Sequence, residues 1–211
     1  MKNLISIIAL FASLMITTSV TGCTKVAKND KSKIANKKVE KKTEKKEVKK
    51  EKITAKVLLK TTKGDMLIGL YGNDAPVTVK NFLQYVKDGF YTGLLFHRVI
   101  PGFVIQGGGM EPGMIKKVTR SPIKLEIAEG LKHKKGILSM ARTQVRDSGT
   151  SQFFICLGDV PSLDNQYAVF GELIKGTKVL DTIAKAPTGK VGFHRNVPTE
   201  DIKIISATIV K

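Results

Sequence analysis

Residues 53–211 are predicted to form a single, mainly β domain. Short apolar segments recur along this part of the chain, each bounded by glycine, proline or a polar cluster, which is the pattern of β-strands. Only two stretches have apolar residues at helical spacing. Strands of this length and spacing favour a β-sandwich or a closed barrel, and closure would leave no unpaired edge strand.

The domain is predicted to begin with a β-hairpin and a helix. Residues 53–60 and 66–71 are rich in strand-forming side chains, and a short link with turn chemistry separates them. The helix is expected to have Asp74 as its N-cap and Pro76 in its first turn, and Gly89 is expected to end it. Its apolar residues recur three and four positions apart, so one face should be buried.

Further strands and a second helix are predicted after Gly89. A second helix is expected to open at Thr177 and to stop before Pro187, and a last strand should span residues 202–210. No internal repeat of fixed period is visible, which disfavours propellers and solenoids. The five apolar segments predicted as strands between the two helices are residues 94–100, 103–106, 136–140, 152–157 and 168–173.

Residues 1–22 have the pattern of a lipoprotein export signal. Lys2 gives a basic end, an apolar run follows, and small residues lead to Cys23. The sequence VTGC at residues 20–23 resembles a bacterial lipobox, in which the cysteine is acylated and becomes the new N-terminus. Several acyl chains bind a membrane durably, since each buried methylene contributes about 0.8 kcal/mol. We therefore expect an extracytoplasmic protein that is lipid-anchored to the cell membrane.

Two alternatives to this interpretation stay open. The apolar run could remain as an uncleaved signal anchor, although it is short for a membrane span. Cys23 could also be a free thiol or a disulfide partner, but the other cysteine, Cys156, lies in an apolar stretch that is predicted to be a core strand.

Residues 23–52 are predicted to be an extended, disordered tether. The segment is dominated by lysine and glutamate and contains almost no large apolar residues, so it cannot build a core. Like charges stand four positions apart, as in Glu40 and Glu44, and oppose a helix. Its lysines could contact anionic lipids or wall polymers. Nucleic-acid binding is not expected, because no aromatic residues are interleaved for base stacking.

Three separated motifs give the strongest functional signal in the domain. They are FHRVIPGFVIQGG at residues 96–108, SQFFI at 151–155 and LDNQYAVFG at 163–171. Together and in this order they resemble the cyclophilin family, and the similarity covers residues 53–211. The resemblance implies a closed eight-stranded antiparallel β-barrel that is capped by two α-helices and has a proline-binding groove on its outer face.

The resemblance also implies which residues form the groove. Arg98 corresponds to the catalytic arginine of cyclophilins. Val104 stands where many members have methionine, Arg142 where many have asparagine, and Ser162 where drug-sensitive members have tryptophan, so strong cyclosporin binding is not expected. The substrate-binding positions are Phe103, Val104, Gln106, Ala141, Arg142, Phe154, Leu163 and Tyr167.

The chemistry of prolyl isomerisation agrees with this assignment. Rotation about an Xaa-Pro bond breaks amide resonance against a barrier of about 18–20 kcal/mol, and it needs no covalent intermediate, proton transfer or cofactor. Twisting the bond reduces charge separation and localises a lone pair on the prolyl nitrogen, so an apolar wall with one well-placed donor suits it. Arg98 can be that donor. Gln106 and Gln152 can hold the peptide backbone through amide hydrogen bonds.

Other kinds of site have weaker support in the sequence. Because the rotation transfers no proton, we interpret His97 as structural. The histidines at positions 97, 133 and 194 lack metal-ligand spacing, so no metal site is expected. Ser148 and Ser151 have no partnered base for a hydrolase triad.

The sequence therefore predicts a monomeric peptidyl-prolyl isomerase that acts on proline-containing segments of exported proteins. Two rival classes stay open: a non-catalytic module that binds proline peptides, and a surface adhesion module that works through its basic residues. Arg98 beside an apolar wall favours the enzyme, since a pure binder would gain nothing from a donor aimed at a twisted bond.

Overall fold

Twelve strands are found in the part of the chain that the structure describes. The computed structural model describes residues 52–211, so the predicted export signal, Cys23 and nearly all of the predicted tether lie outside the described residues. The strands are β1 (Ala55–Thr61), β2 (Gly64–Leu70), β3 (Arg98–Ile100), β4 (Val104–Gly107), β5 (Met110–Glu111), β6 (Ile115–Lys116), β7 (Ile137–Met140), β8 (Phe153–Cys156), β9 (Val169–Lys175), β10 (Thr188–Val191), β11 (His194–Pro198) and β12 (Ile204–Val210).

Eight of these strands form one curled sheet, in the order β12-β1-β2-β9-β7-β8-β4-β3, and its neighbours are antiparallel. The predicted N-terminal hairpin is β1–β2, which pairs in register from Ala55 opposite Leu70 to Thr61 opposite Gly64. The mainly β fold predicted from the sequence is therefore confirmed. The remaining strands make two small hairpins, β5–β6 and β10–β11, which the sequence did not predict.

The sheet is a half-barrel rather than the fully closed barrel that was expected. β3 and β12 end the strand order, and within residues 52–211 an isolated bridge between Leu95 and Lys203 joins the two segments that precede them. A backbone hydrogen bond of 2.8 Å from the N–H of Phe96 to the carbonyl of Ile202 supports this bridge. The barrel is not closed between β3 and β12, because the predicted strand over 94–100 adopts strand conformation only from Arg98 onward.

Two α-helices, α1 (Pro76–Lys87) and α2 (Thr177–Ala184), pack on the sheet as predicted. The predicted N-cap of α1 is wrong: Ala75 occupies the cap position and gives no side-chain hydrogen bond. Instead the carboxylate of Glu126 accepts hydrogen bonds from the N–H groups of Val77 (3.1 Å) and Thr78 (2.7 Å). A cap supplied from a residue so distant in sequence has no local signal. No helix of residues 52–211 has the length and apolar character to cross a membrane.

Candidate active site

Strand β8 is apolar on both of its faces, and the neighbouring β4 adds Val104 on the outside and Ile105 on the inside. In β8, Phe153 and Ile155 point into the main core, whereas Phe154 and Cys156 point outward and form a second apolar cluster with Val104 of β4. This alternation follows from the two-residue period of strand side chains. It explains why the sequence of β8 is an uninterrupted apolar run, and it places an apolar floor on the outside of the sheet.

A cavity of about 120 Å³ lies on this floor. It is smaller than the roughly 300–1,000 Å³ of sites for drug-sized ligands, and it suits a single side chain. The structure brings nine of the ten predicted groove residues together around it, and Gln152 lies beside it instead. The lining residues are Arg98, Phe103, Val104, Gln106, Ala141, Arg142, Phe154, Leu163 and Tyr167.

A tight turn sets Arg98 against the floor of the cavity. The N–H of Phe103 donates to the carbonyl of Ile100 (3.0 Å), and Pro101 and Gly102 occupy the two central positions, with Gly102 at φ +73°. This is the pattern of a type II turn, which requires positive φ at its third residue. The turn pairs β3 with β4 so that Arg98 stands directly opposite Gln106.

A chain of amide hydrogen bonds holds Arg98 at the rim of the cavity. Nη1 of Arg98 donates to Oε1 of Gln106 (3.2 Å), and Nε2 of Gln106 donates to Oε1 of Gln152 (2.9 Å). None of the ion pairs formed by residues 52–211 involves Arg98. Its remaining donors and its full positive charge are therefore available to a ligand.

Gly109 makes room for this chain of hydrogen bonds, and sequence reasoning missed it. A Cβ on Gly109 would collide with the side chain of Gln152. Gln152 lies over this glycine and reaches Gln106 from there. The three consecutive glycines at 107–109 are visible in the sequence, but only the contact with Gln152 explains why residue 109 is a glycine.

Phe154, at the centre of the floor, is held from both sides. The ring of His133 stacks on it at 6.0 Å between centroids with planes 21° apart, and Tyr167 meets it edge-on at 5.3 Å. His133 is fixed in turn by Asp164, whose Oδ1 lies 2.9 Å from Nδ1, and by Ser139, whose Oγ lies 3.0 Å from Nε2. Hydrogen bonds from the backbone N–H and the ring of His133 lower the pKa of Asp164.

Ser139, His133 and Asp164 are hydrogen-bonded in the order of a hydrolase triad, but the serine is not accessible to a substrate. Ser139 is completely buried and His133 is 2% exposed, so the hydroxyl cannot reach a substrate carbonyl. We interpret the three residues as a positioning network for Phe154. No local motif predicts this network, because Ser139, His133 and Asp164 come from separate segments of the chain.

Arg142 forms the opposite rim of the cavity. Its guanidinium lies over the ring of Tyr167, 4.9 Å from the centroid. Nε donates to the carbonyl of Gln166 and Nη1 to that of Thr143, both at 2.9 Å. The cavity is thus walled by two arginines and contains no acidic lining residue, so it favours a neutral or anionic ligand.

His97 stands next to Arg98 but is shut away from solvent. It is 6% exposed, and burial lowers its pKa from 6.5 to about 4, so the ring is neutral near pH 7. Among residues 52–211, no group of three or more His, Cys, Asp or Glu side chains has the geometry to hold a metal ion.

Comparison with known proteins decides the family. The family model described as "Cyclophilin type peptidyl-prolyl cis-trans isomerase/CLD" matches residues 56–209. The chain belongs to the cyclophilin family. This cyclophilin is 52% identical over 158 residues to the peptidyl-prolyl cis-trans isomerase of Acinetobacter baylyi, covering 72% of this chain and 84% of the relative. It is 47% identical over 161 residues to peptidyl-prolyl cis-trans isomerase B of Escherichia coli, covering 72% of this chain and 98% of the relative.

Solved cyclophilin structures have the same fold. A crystal structure of a Cryptosporidium parvum cyclophilin type peptidyl-prolyl cis-trans isomerase matches with a TM-score of 0.68 and 34% identity, covering 74% of this chain and 98% of that one. A second structure of that protein, in the presence of the dipeptide Ala-Pro, matches with a TM-score of 0.67 and 33% identity, covering 74% and 99%. The cyclophilin resemblance predicted from the motifs is confirmed, and this cyclophilin is an enzyme of the peptidyl-prolyl cis-trans isomerase class.

Proposed function

We propose that this cyclophilin isomerises Xaa-Pro bonds in exported proteins as they fold at the outer face of the cytoplasmic membrane. One observation supports the chemical part above all: Arg98, which has no carboxylate partner among residues 52–211, stands at the rim of a small apolar cavity. The export signal and Cys23 in the sequence support the location.

The cavity suits the pyrrolidine ring of proline. Phe103, Phe154 and Leu163 supply apolar surface around a space sized for one side chain. A ring held there is fixed, while the residue before proline extends past Arg98 and Gln106. Fixed orientation lets the rest of the peptide rotate about the prolyl bond without the entropic cost of an encounter in solution. The Ala-Pro dipeptide added to the Cryptosporidium parvum relative is consistent with a proline-containing ligand.

Arg98 stabilises the half-rotated bond. When the amide twists, resonance is lost and the prolyl nitrogen gains a lone pair that accepts a hydrogen bond. A guanidinium donor that bonds to this nitrogen only in the twisted state lowers the barrier, because it favours the transition state over both planar isomers. A charge-assisted bond of this kind contributes about 1.5–3 kcal/mol. An acceleration on the order of 10⁵ needs about 7 kcal/mol, so apolar contact and orientation supply the remainder.

The proposed location requires that Cys23 is acylated after export. The tether of residues 23–52 would then give the enzyme a reach on the order of 30 Å from the membrane surface. Its lysines would add a salt-sensitive attraction to anionic lipids or wall polymers.

Cell fractionation tests the location. We expect the full chain in the membrane fraction, with a mass on the Cys23 peptide that corresponds to acylation, and the Cys23→Ser variant in the soluble fraction. A wash at high salt separates the two attachments, because it removes the lysine contribution and leaves the lipid anchor. If the Cys23 peptide of the full chain carries no acyl mass, lipid anchoring through this residue is refuted; retention of Cys23→Ser after that wash would instead indicate an uncleaved signal anchor.

A refolding assay tests the activity at the membrane. The full chain, bound to vesicles, should accelerate the proline-limited phase of a reduced, unfolded exported protein, a phase that takes tens of seconds or more without a catalyst. Absence of acceleration by the vesicle-bound chain, at concentrations where it accelerates a short Xaa-Pro peptide, would refute the folding role and leave the isomerase chemistry standing.

A further inference from the structure

The β10–β11 hairpin overhangs the catalytic rim. A second cavity, of about 560 Å³, lies between this hairpin and the row of polar side chains formed by Arg98, Gln106 and Gln152. Phe193 and Arg195 line it from the hairpin side. Because Arg98 and Gln106 line both cavities, the larger one lies directly beside the proposed proline cavity.

The hairpin is anchored at its base and open at its tip. Val197 is 6% exposed, and the N–H of Thr199 donates to the carbonyl of Pro187 (2.9 Å), which closes the base. At the tip, Gly192 has φ +55°, which suits a sharp two-residue reversal. Asn196, with φ +58°, is the extra residue of a bulge within β11.

The side chain of Phe193, at this tip, is not packed against the rest of the domain. Its side chain is 102% exposed, and none of the ring contacts within residues 52–211 includes it. Single exposed apolar residues are common on proteins, and Phe193 is set apart by its place on the wall of a cavity that leads to Arg98. Met110 gives the same cavity a second apolar side chain.

The arginines of this cavity have no anionic partner among the described residues. It contains two arginines and no acidic lining residue, and neither Arg98 nor Arg195 belongs to an ion pair of the described residues. Such a wall favours carboxylates and backbone carbonyls and disfavours cations.

We propose that the cavity under the β10–β11 hairpin is a second subsite, which binds the substrate polypeptide beyond the Xaa-Pro unit. Its occupant is an extended, unfolded segment with an aromatic or aliphatic side chain against Phe193 and Met110 and an acidic side chain at Arg195. This inference rests on the proposed function, because the segment is continuous with a proline held beside Arg98. It assigns the hairpin a role in selecting unfolded chains over isolated Xaa-Pro peptides.

Two peptide substrates with the same Xaa-Pro core test the subsite in the full chain. The short one is a tetrapeptide, and the long one carries a leucine and a glutamate on each side of the core. For Phe193→Ser we expect the ratio of kcat/KM, long over short, to fall about three- to tenfold, the size of a lost aromatic contact. Val77→Ser is the matched control, since Val77 is an exposed apolar residue of α1 that lies outside this cavity.

The charge preference is tested with a long peptide in which lysine replaces each flanking glutamate. The wild-type chain should prefer the glutamate peptide, and Arg195→Ser should abolish that preference. The inference is overturned if Phe193→Ser keeps the wild-type ratio, if Val77→Ser lowers the ratio equally, or if Arg195→Ser keeps the charge preference.

Binding measured without catalysis separates this inference from the proposed function. Amide chemical shifts of residues 192–196 should move when the long peptide is added and stay unchanged with the tetrapeptide. If the wild-type chain accelerates neither peptide, the proposed function fails, and these shifts still decide whether the hairpin binds polypeptide. If they do not move with the long peptide, the inference fails even where isomerase activity is normal.

Discussion

Nη1 of Arg98 donates a 3.2 Å hydrogen bond to Oε1 of Gln106, the residue directly opposite it on β4. The acceptor is a neutral amide, so it orients the guanidinium without neutralising it. A carboxylate at the same position would form a bidentate pair with Arg98 and compete with the substrate for its donors. The rim of the cavity therefore combines a side chain held in place with a positive charge that no carboxylate of the described residues neutralises.

Two substitutions at Gln106 should distinguish how much activity depends on the orientation of the Arg98 guanidinium and how much on its free charge. Gln106→Leu removes the bond that orients Arg98 but leaves its charge, and we expect kcat/KM to fall about two- to tenfold, a loss of about 0.5–1.5 kcal/mol of transition-state stabilisation. Gln106→Glu keeps the shape but pairs with Arg98, and it should cost more activity than Gln106→Leu. Equal or reversed losses, measured with a short Xaa-Pro peptide, would show that the free charge of Arg98 is unimportant.

Gly109→Ala should act through Gln152. The added Cβ collides with the Gln152 side chain and should displace it from Gln106, so kcat/KM should fall about as much as in Gln152→Ala. The double variant should lose no more than Gly109→Ala alone, because both substitutions break the same hydrogen bond. Additive losses would mean that Gly109 acts by another route, such as a shift of the backbone.

The fold could be predicted because strand alternation is local, and the residues that line the cavity could be named in advance because the three motifs resemble those of cyclophilins. The apolar run of β8 marked a strand, and the motif around Arg98 marked the groove. The cap supplied by Glu126, the glycine under Gln152 and the bonds of His133 depend on residues that meet only after folding. The β10–β11 hairpin was also missed, since its exposed strands lack the alternation that signals a buried face.

The pH dependence of stability should reveal the buried His97. Its pKa is about 4 in the folded chain against 6.5 in the unfolded chain. Between these two pH values His97 is therefore protonated in the unfolded state and neutral in the folded state. Stability is therefore lost as the pH falls from 6.5 to 4, by about 3 kcal/mol from this residue. His97→Gln should flatten the urea-unfolding free energy in that window relative to wild type. An unchanged slope would mean that His97 titrates normally.

Catalysis, in contrast, should be nearly independent of pH between about 6 and 8. The rotation transfers no proton, and the buried His97 stays neutral over this range. A plot of kcat/KM against pH for a short Xaa-Pro peptide checks this. A sigmoidal change with a midpoint near 6.5 would implicate a histidine in the chemical step.

The Cys156 thiol should be inert in the folded chain. It is completely buried beneath the groove, and burial raises its pKa to about 12, so almost no thiolate forms at pH 8. Iodoacetamide should leave the Cys156 peptide unmodified in mass spectra of the native protein and label it fully in urea. Rapid labelling of the native chain would show that the apolar floor opens readily.

The central claim is that the guanidinium of Arg98 stabilises the twisted prolyl bond, and kcat/KM of Arg98→Ala on a short Xaa-Pro peptide tests it most directly. We expect a loss of about 10- to 100-fold, the value of a charge-assisted bond made in the transition state, with partial recovery in Arg98→Lys and an unchanged melting temperature. Arg120→Ala is the control, since Arg120 forms an exposed ion pair with Asp88 outside the groove. Full activity in a folded Arg98→Ala variant would contradict the account.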